Sequence, residues 1–312
     1  MGRTGSAAPS QLPAFSADTD HFKLTYYDPP PGMERHILAL FHFEWDAEEI
    51  SDLHPGALPQ MFLTPFGSGE IRFGDAVQSV GTDARLFSGF DVAAPFRMTG
   101  PWHAIGASLS PLGWAALTGQ PASDHVNRLI APAELLGDEV DHFTQDMIER
   151  YRAGSLAGDA ACLELALWLG ARFGSIPRAH EKLIEQTLAW LATSLNPEVD
   201  DLVDTLAYSR RQTERLVRRY FGATPASLGR KFRAVRAARI LIEPDLSDEA
   251  AALVANAFYD QPHMIREIRR YCGYTPTRLG GRVDPLFQTM IRLQNLDRLQ
   301  QTSGDASSTD GD

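Results

Sequence analysis

The side chains best suited to recognition chemistry are arginines crowded into one window. Between Thr205 and Ile240 stand Arg210, Arg211, Arg215, Arg218, Arg219, Arg230, Lys231, Arg233, Arg236 and Arg239, with Glu214 as the single acid. The window carries +9 in a chain of net charge −11, while residues 1–175 hold 10 basic and 22 acidic side chains. Such a split points to a polyanionic partner for one half of the chain, or more plainly to a solvated helix face. A guanidinium matches both groups a nucleic acid presents: phosphate oxygens, and the O6 and N7 edge of guanine in the major groove.

Spacing sorts these cations. Thr213, Leu216, Val217 and Tyr220 recur at intervals of three and four, which predicts a helix over 210–220 with that stripe inward. Ser209 is its natural N-cap. Arg210, Arg211, Glu214, Arg215 and Arg218 are then outward, with Arg211 and Arg215 one turn apart in the half that meets base edges when such a helix enters the major groove. Glu214 suits a cytosine amine or the orientation of Arg211 or Arg218. A second helix, 261–271, turns Met264 and Ile268 inward and leaves Gln261, Pro262, Ile265 and Arg266 exposed. Gln261 fits an adenine, and Arg266 a guanine or a phosphate. Arg210, Arg218, Arg219, Arg269 and Arg270 suit phosphates, which give affinity and salt dependence without sequence choice. His263 reads as a cap or phosphate neighbour, and Cys272 as a small core residue.

These helices belong to an internal repeat. DLVDTLAYSRRQTERLVRRYFGATP (201–225) and EAAALVANAFYDQPHMIREIRRYCGYTP (249–276) each run from an apolar helix through a tight turn at Ala207 or Ala257. Each continues into a helix ending in Arg-Arg, then a glycine and a Thr-Pro. One long helix, over about 228–242, joins the two units.

The repeat resembles the DNA-binding domain of AraC-type transcription regulators, over about 181–279 or roughly a third of the chain. The resemblance implies two helix-turn-helix units reading double-stranded DNA in successive major grooves, about 34 Å apart. It supports Arg211, Glu214 and Arg215 as base readers. It further implies an N-terminal domain that senses a small-molecule effector or makes a homodimer, and contact with the transcription machinery. Two departures concern the turns, where the family places glycine and this chain has Ala207 and Ala257. A left-handed alanine costs about 1 kcal/mol, which predicts slightly altered turns. Met264 and Ile268 stand where the family prefers phenylalanine.

The first half has another texture. HILALFHFEW (36–45), QMFLTPF (60–66) and HAIGASLS (103–110) read as strands, and GSGEIRFGD (67–75) as turn, short strand and turn. The expected fold class is therefore α+β multidomain: a cupin-like β-barrel with trailing helices, then an all-α region with two helix-turn-helix units. The expected boundaries are a flexible arm at 1–20, a β-rich effector or dimerisation domain at 21–175, the DNA-binding domain at 178–283, and a C-terminal helix with a disordered tail at 284–312. Phe41, Phe43, Trp45, Phe62, Phe66, Trp102 and Trp114 are candidates to line an apolar pocket, or simply core. The helices at about 131–173 are the candidate dimer surface.

Catalytic chemistry finds little support. The nine histidines include no His-x-His pair, and there is no Cys-x-x-Cys, Gly-x-Ser-x-Gly or Walker loop. His42 and Glu44 share a strand face, a pattern more common for surface or hydrogen-bonded groups than for metal ligands. No catalytic residue, cofactor or metal ligand is assigned. Cys162, alone in an apolar helix, does not fit the methyl-acceptor repair fusions among AraC-type relatives. Two cysteines suit a reducing cytoplasm, and no segment reads as a signal peptide or membrane span. The competing readings are a cupin-like enzyme with secondary DNA binding, and a ligand-binding module that has lost it.

Overall fold

The computed structural model describes residues 13–19, 22–281 and 285–292. The first half is one antiparallel sheet of eight strands: β1 (Pro13–Asp18), β2 (Phe22–Tyr27), β3 (Ile37–Trp45), β4 (Glu49–His54), β5 (Gln60–Phe73), β6 (Ala76–Val80), β7 (Ala84–Phe87) and β8 (Ala94–Leu109). The order is β1-β2-β3-β8-β5-β6, with β4 also on β8 and β7 also on β5. The two long strands are the frame. β8 pairs with β4 along 94–99 and with β3 from Trp102 onward, while β5 lies along its other edge.

Two expectations change here. Of the turn, strand and turn expected over 67–75, the strand and the closing turn at Gly74-Asp75 are present, but the opening turn is not: β5 runs through Gly67 and Gly69 to Phe73, with β8 and β6 pairing along its edges. A Cβ at Gly69 would lie 2.1 Å from the Arg97 carbonyl oxygen, so glycine there permits close strand approach. Part of the expected arm is also a strand: β1 pairs with β2, supplying partners to an edge otherwise bare. Residues 1–12 and 20 lie outside the described residues.

Helices then cover one face. These are α1 (Pro111–Thr118), a 3-10 turn (Ala122–Asp124), α2 (Ala133–Leu136), α3 (Glu139–Arg152) and α4 (Gly158–Gly170). Val140, Met147, Ile148, Cys162 and Leu165 pack on Leu40, Met61, Leu63 and Ile105 of the sheet. Strand residues of opposite parity, such as Phe41, Phe43, Phe62 and Ala104, line an apolar cavity on the other face of the sheet.

The remainder is helical: α5 (Arg178–Ala192), α6 (Val199–Thr205), α7 (Arg210–Phe221), α8 (Pro225–Leu241), α9 (Asp248–Asn256), α10 (Gln261–Cys272), α11 (Pro276–Leu279) and α12 (Pro285–Arg292). Thr224 and Thr275 both cap the helix that follows with a proline in its first turn, so the repeat is preserved in local chemistry as well as in letters. The expected C-terminal helix appears as α12; residues 293–312, including the expected tail, lie outside the described residues.

Candidate nucleic-acid interface

α7 begins at Ser209, whose hydroxyl accepts from the Gln212 N–H at 3.4 Å. Thr213, Leu216, Val217 and Tyr220 are all buried, as their spacing predicts. Arg210, Arg211, Glu214, Arg215, Arg218 and Arg219 are all exposed. No described side chain forms an ion pair with Arg211 or Arg215. Opposite them, Pro121, Ser123 and Asp124 form the far wall of an open groove of about 410 Å³. The field of this face is positive: His180, held at 2.7 Å by the Tyr220 hydroxyl, titrates below its ordinary range, first through burial and then through Arg219 and Arg215.

α10 repeats the arrangement. Asp260 caps it, accepting from the His263 N–H at 2.7 Å, and Ile268 is fully buried while Met264 is only half-buried. Gln261, Pro262, Arg266, Arg269 and Arg270 are exposed, and Ile265 is half-buried. The His263 ring is turned to Glu267, Nε2 to Oε1 at 3.1 Å.

The density of cations overstates the free charge. Arg233 is buried and donates from Nε and Nη2 to the Glu267 carboxylate at 3.0 and 2.6 Å, joining α8 to α10. Lys231 is half-buried and donates to the Ala57 carbonyl at 2.6 Å. Arg236 donates to the Leu191 and Ser194 carbonyls, Arg210 pairs with Asp200, and Arg219 reaches the Gly119 carbonyl at 3.2 Å. Sequence periodicity alone does not separate these cations, because their partners lie on other helices or on the barrel.

The turns are altered as expected, with neither Ala207 nor Ala257 in a left-handed backbone. Ala257 has φ −75° and ψ −11°, and Asn127 is the one described non-glycine residue with positive φ. The turns close with right-handed or extended backbone, so alanine is unstrained there.

Both α7 and α10 end against the sheet half. A Cβ on Gly222 would lie 2.6 Å from Val126, and one on Gly273 2.6 Å from Leu53. The Tyr271 carbonyl accepts from the Gly56 N–H at 2.7 Å, and the Arg270 carbonyl from the Ala93 N–H at 2.8 Å. The Tyr274 hydroxyl donates to Asp52 at 2.6 Å.

Against the face of the sheet away from α3 and α4 lies an apolar cavity of about 130 Å³. Phe41, Phe43, Phe62 and Trp102 line it, as do Phe87 and Phe90, which the sequence does not single out. Trp45, Phe66 and Trp114 do not line it. Trp114 is buried on α1 against the outer helices, and Phe66 packs on His103 and Tyr151, because the register shift between Leu63 and Phe66 turns it off the face that Phe62 occupies. Leu286 and Met290 of α12 complete the lining.

Residues 202–282 match a family model described as a helix-turn-helix domain. No curated protein sequence matches the chain. Among solved structures, ToxT from Vibrio cholerae O395 is similar at 10% identity and TM-score 0.43, over 88% of this chain and 99% of that one. A fatty-acid-bound ToxT from strain SCE256 is similar at 8% identity and TM-score 0.41, over 84% and 95%. An oxalate decarboxylase variant from Bacillus subtilis is similar at 12% identity and TM-score 0.25, over 34% and 31%.

Proposed function

We propose, on the premise that residues 202–282 are an AraC-type helix-turn-helix domain, that this chain is a sequence-specific DNA-binding transcription regulator. The observation that carries the reading is a shared polarity. α7 and α10 both dock their glycine ends on the sheet half, and both present exposed polar side chains in their first two turns, Arg210, Arg211, Glu214 and Arg215 on one and Gln261 and Arg266 on the other. Arg211, Glu214 and Arg215 then read one major groove, and Gln261 and Arg266 the next. Arg218, Arg219, Arg269 and Arg270 hold phosphates, joined by Arg210 once it exchanges Asp200 for one. If six to ten phosphates are met, affinity falls with about the fifth to ninth power of salt concentration. Selection from random double-stranded DNA, with affinity measured across salt, tests the reading. A sequence motif with a steep salt slope supports it, and equal binding to all sequences overturns it.

The barrel cavity is the effector site in this reading. Its wall is mostly aromatic and aliphatic, with Tyr26 and His54 the titratable residues among the described lining, so it suits an apolar molecule rather than catalysis. About 130 Å³ compares with an engineered cavity that accepts a single benzene. α12 closes the cavity with Leu286 and Met290, so a residue pair beyond the second reader senses its contents.

The same reading keeps the division into a sensing region before Ile176 and a DNA-binding region after it. It assigns the outer side of α3 and α4, where Leu167 is exposed, to a homodimer, and it places the chain in the cytoplasm beside the transcription machinery. No described helix is long and apolar enough to cross a membrane.

A further inference from the structure

The sheet carries a second polar constellation on the side away from the cavity. His42 and Glu44 are two apart on β3 and so share a face. The β3–β8 register sets His103 directly opposite Glu44, on that same face. One nitrogen or oxygen from each of the three residues lies within 4.8 Å of the others. A tetrahedral zinc ion about 2.1 Å from each ligand holds its ligands about 3.4 Å apart, so small side-chain adjustments close the set.

The surroundings favour an ion over a simple hydrogen-bonded cluster. The Tyr151 hydroxyl of α3 takes one nitrogen from each ring, His42 Nε2 at 2.7 Å and His103 Nδ1 at 2.9 Å. The other two nitrogens each face a carboxylate, His42 Nδ1 toward Glu44 at 3.8 Å and His103 Nε2 toward Asp46 at 3.5 Å. Metal-binding imidazoles have this arrangement, with the second nitrogen fixed by an oxygen. Gly158 packs over the His42 ring: a Cβ there would be 2.2, 2.4 and 2.6 Å from Nδ1, Cε1 and Cγ. Those three distances place it on the ring face, leaving the in-plane lone pair of Nδ1 clear.

We propose that His42, Glu44 and His103 bind one divalent transition-metal ion of the zinc class, with Tyr151 orienting both imidazoles. Two imidazoles and a carboxylate suit zinc and its neighbours rather than calcium or magnesium. Asp46, exposed beside the cluster, or a water completes the coordination. The ion ties the α3–α4 layer to the sheet through Tyr151. It stands apart from the barrel interior, because Phe41 and Phe43 on the alternate parity face the cavity.

The test uses tag-free, full-length protein stripped with chelator, titrated with zinc by calorimetry and scanned for thermal unfolding. We expect one ion per chain and a higher unfolding temperature with zinc. Glu44→Gln and His103→Ala should each weaken binding at least 100-fold, and Tyr151→Phe about 10- to 100-fold while still binding. Glu44→Gln guards against misfolding of the histidine variant, since it keeps shape and hydrogen bonding. Absence of stoichiometric zinc, or zinc affinity unchanged in both ligand variants, overturns the proposal.

Discussion

Gly222 and Gly273 occupy the same place in the two helix-turn-helix units and do the same two things. Each ends its reader helix in a left-handed backbone, with φ of 76° and 84°. Each also presses its bare Cα against the sheet half, Gly222 on Val126 and Gly273 on Leu53. Alanine at either position costs about 1 kcal/mol in backbone strain. Overpacking against the opposing side chain adds about 1–3 kcal/mol. Gly273→Ala is therefore expected to lower the denaturation midpoint, and Leu53→Ala in the same chain to recover the overpacking part. A double variant no more stable than the simple sum of the two single losses would show that Leu53 is not the obstacle.

Arg215 and Arg219 make the discriminating pair on α7. Arg215 is exposed in the second turn with no described ion-pair partner, while Arg219 stands a turn later and already reaches the Gly119 carbonyl. Arg215→Ala is expected to cost about 1–3 kcal/mol on the preferred sequence and to relax choice at one base pair. Arg219→Ala is expected to weaken all sequences alike and to shallow the salt slope by about one. Binding measured on the selected site and on random DNA separates the two. Equal losses on both DNAs for both variants would remove Arg215 from the readers.

The reader stripes were legible because a helix repeats every 3.6 residues, and burial of Thr213, Leu216, Val217 and Tyr220 needs no distant partner. The strand register is a different kind of information. Glu44 meets His103 only because β3 pairs with β8, and nothing near either residue encodes that pairing. The same non-local pairing keeps β5 extended through two glycines and decides which aromatics enter the cavity. Buried cations escaped the sequence for a related reason: Arg233 looks like its outward neighbours until Glu267 arrives from another helix.

Arg233 and Glu267 are each 7% exposed, and their ion pair locks the connector α8 to the second reader. Removing one partner leaves a buried charge alone. Glu267→Leu or Arg233→Met is expected to destabilise the helical region by about 3–5 kcal/mol. The double replacement Arg233→Met with Glu267→Leu should cost far less, since it removes both desolvated charges together. Chemical denaturation of the four proteins closes the cycle, and simple additivity of the two losses would deny the coupling.

Lys231 links stability to pH. Burial against the sheet half pushes its ammonium down to about 8, with Asp91 opposing the shift. An unfolded lysine titrates near 10.4, so across the interval between these values the unfolded chain holds a proton that the folded chain has released. Stability from this group therefore rises from about pH 8 to about pH 10, by at most about 3 kcal/mol, and is flat below the folded value. Lys231→Met should remove that rise. A variant whose midpoint climbs with pH as steeply as the parent's would assign the effect elsewhere.

α12 offers the last test, because one helix face serves two structures. Leu286 and Met290 line the barrel cavity, while Phe287 packs edge-on against Tyr274 beside the second reader at 4.5 Å. Tyr274 in turn donates to Asp52 on β4, so the helix, the end of the repeat and the barrel meet at one point. Leu286→Ala removes a buried side chain at that point and is expected to cost about 2–5 kcal/mol of local docking. Loss of the closing side chain should also raise uptake of an apolar fluorescent probe. Ala104→Leu fills the cavity from the sheet and should lower uptake while leaving α12 docked. DNA affinity measured with and without probe then reports the coupling. Affinity that responds to probe in the parent and not in Ala104→Leu places the signal in the barrel, and indifference in both proteins would separate cavity from reader.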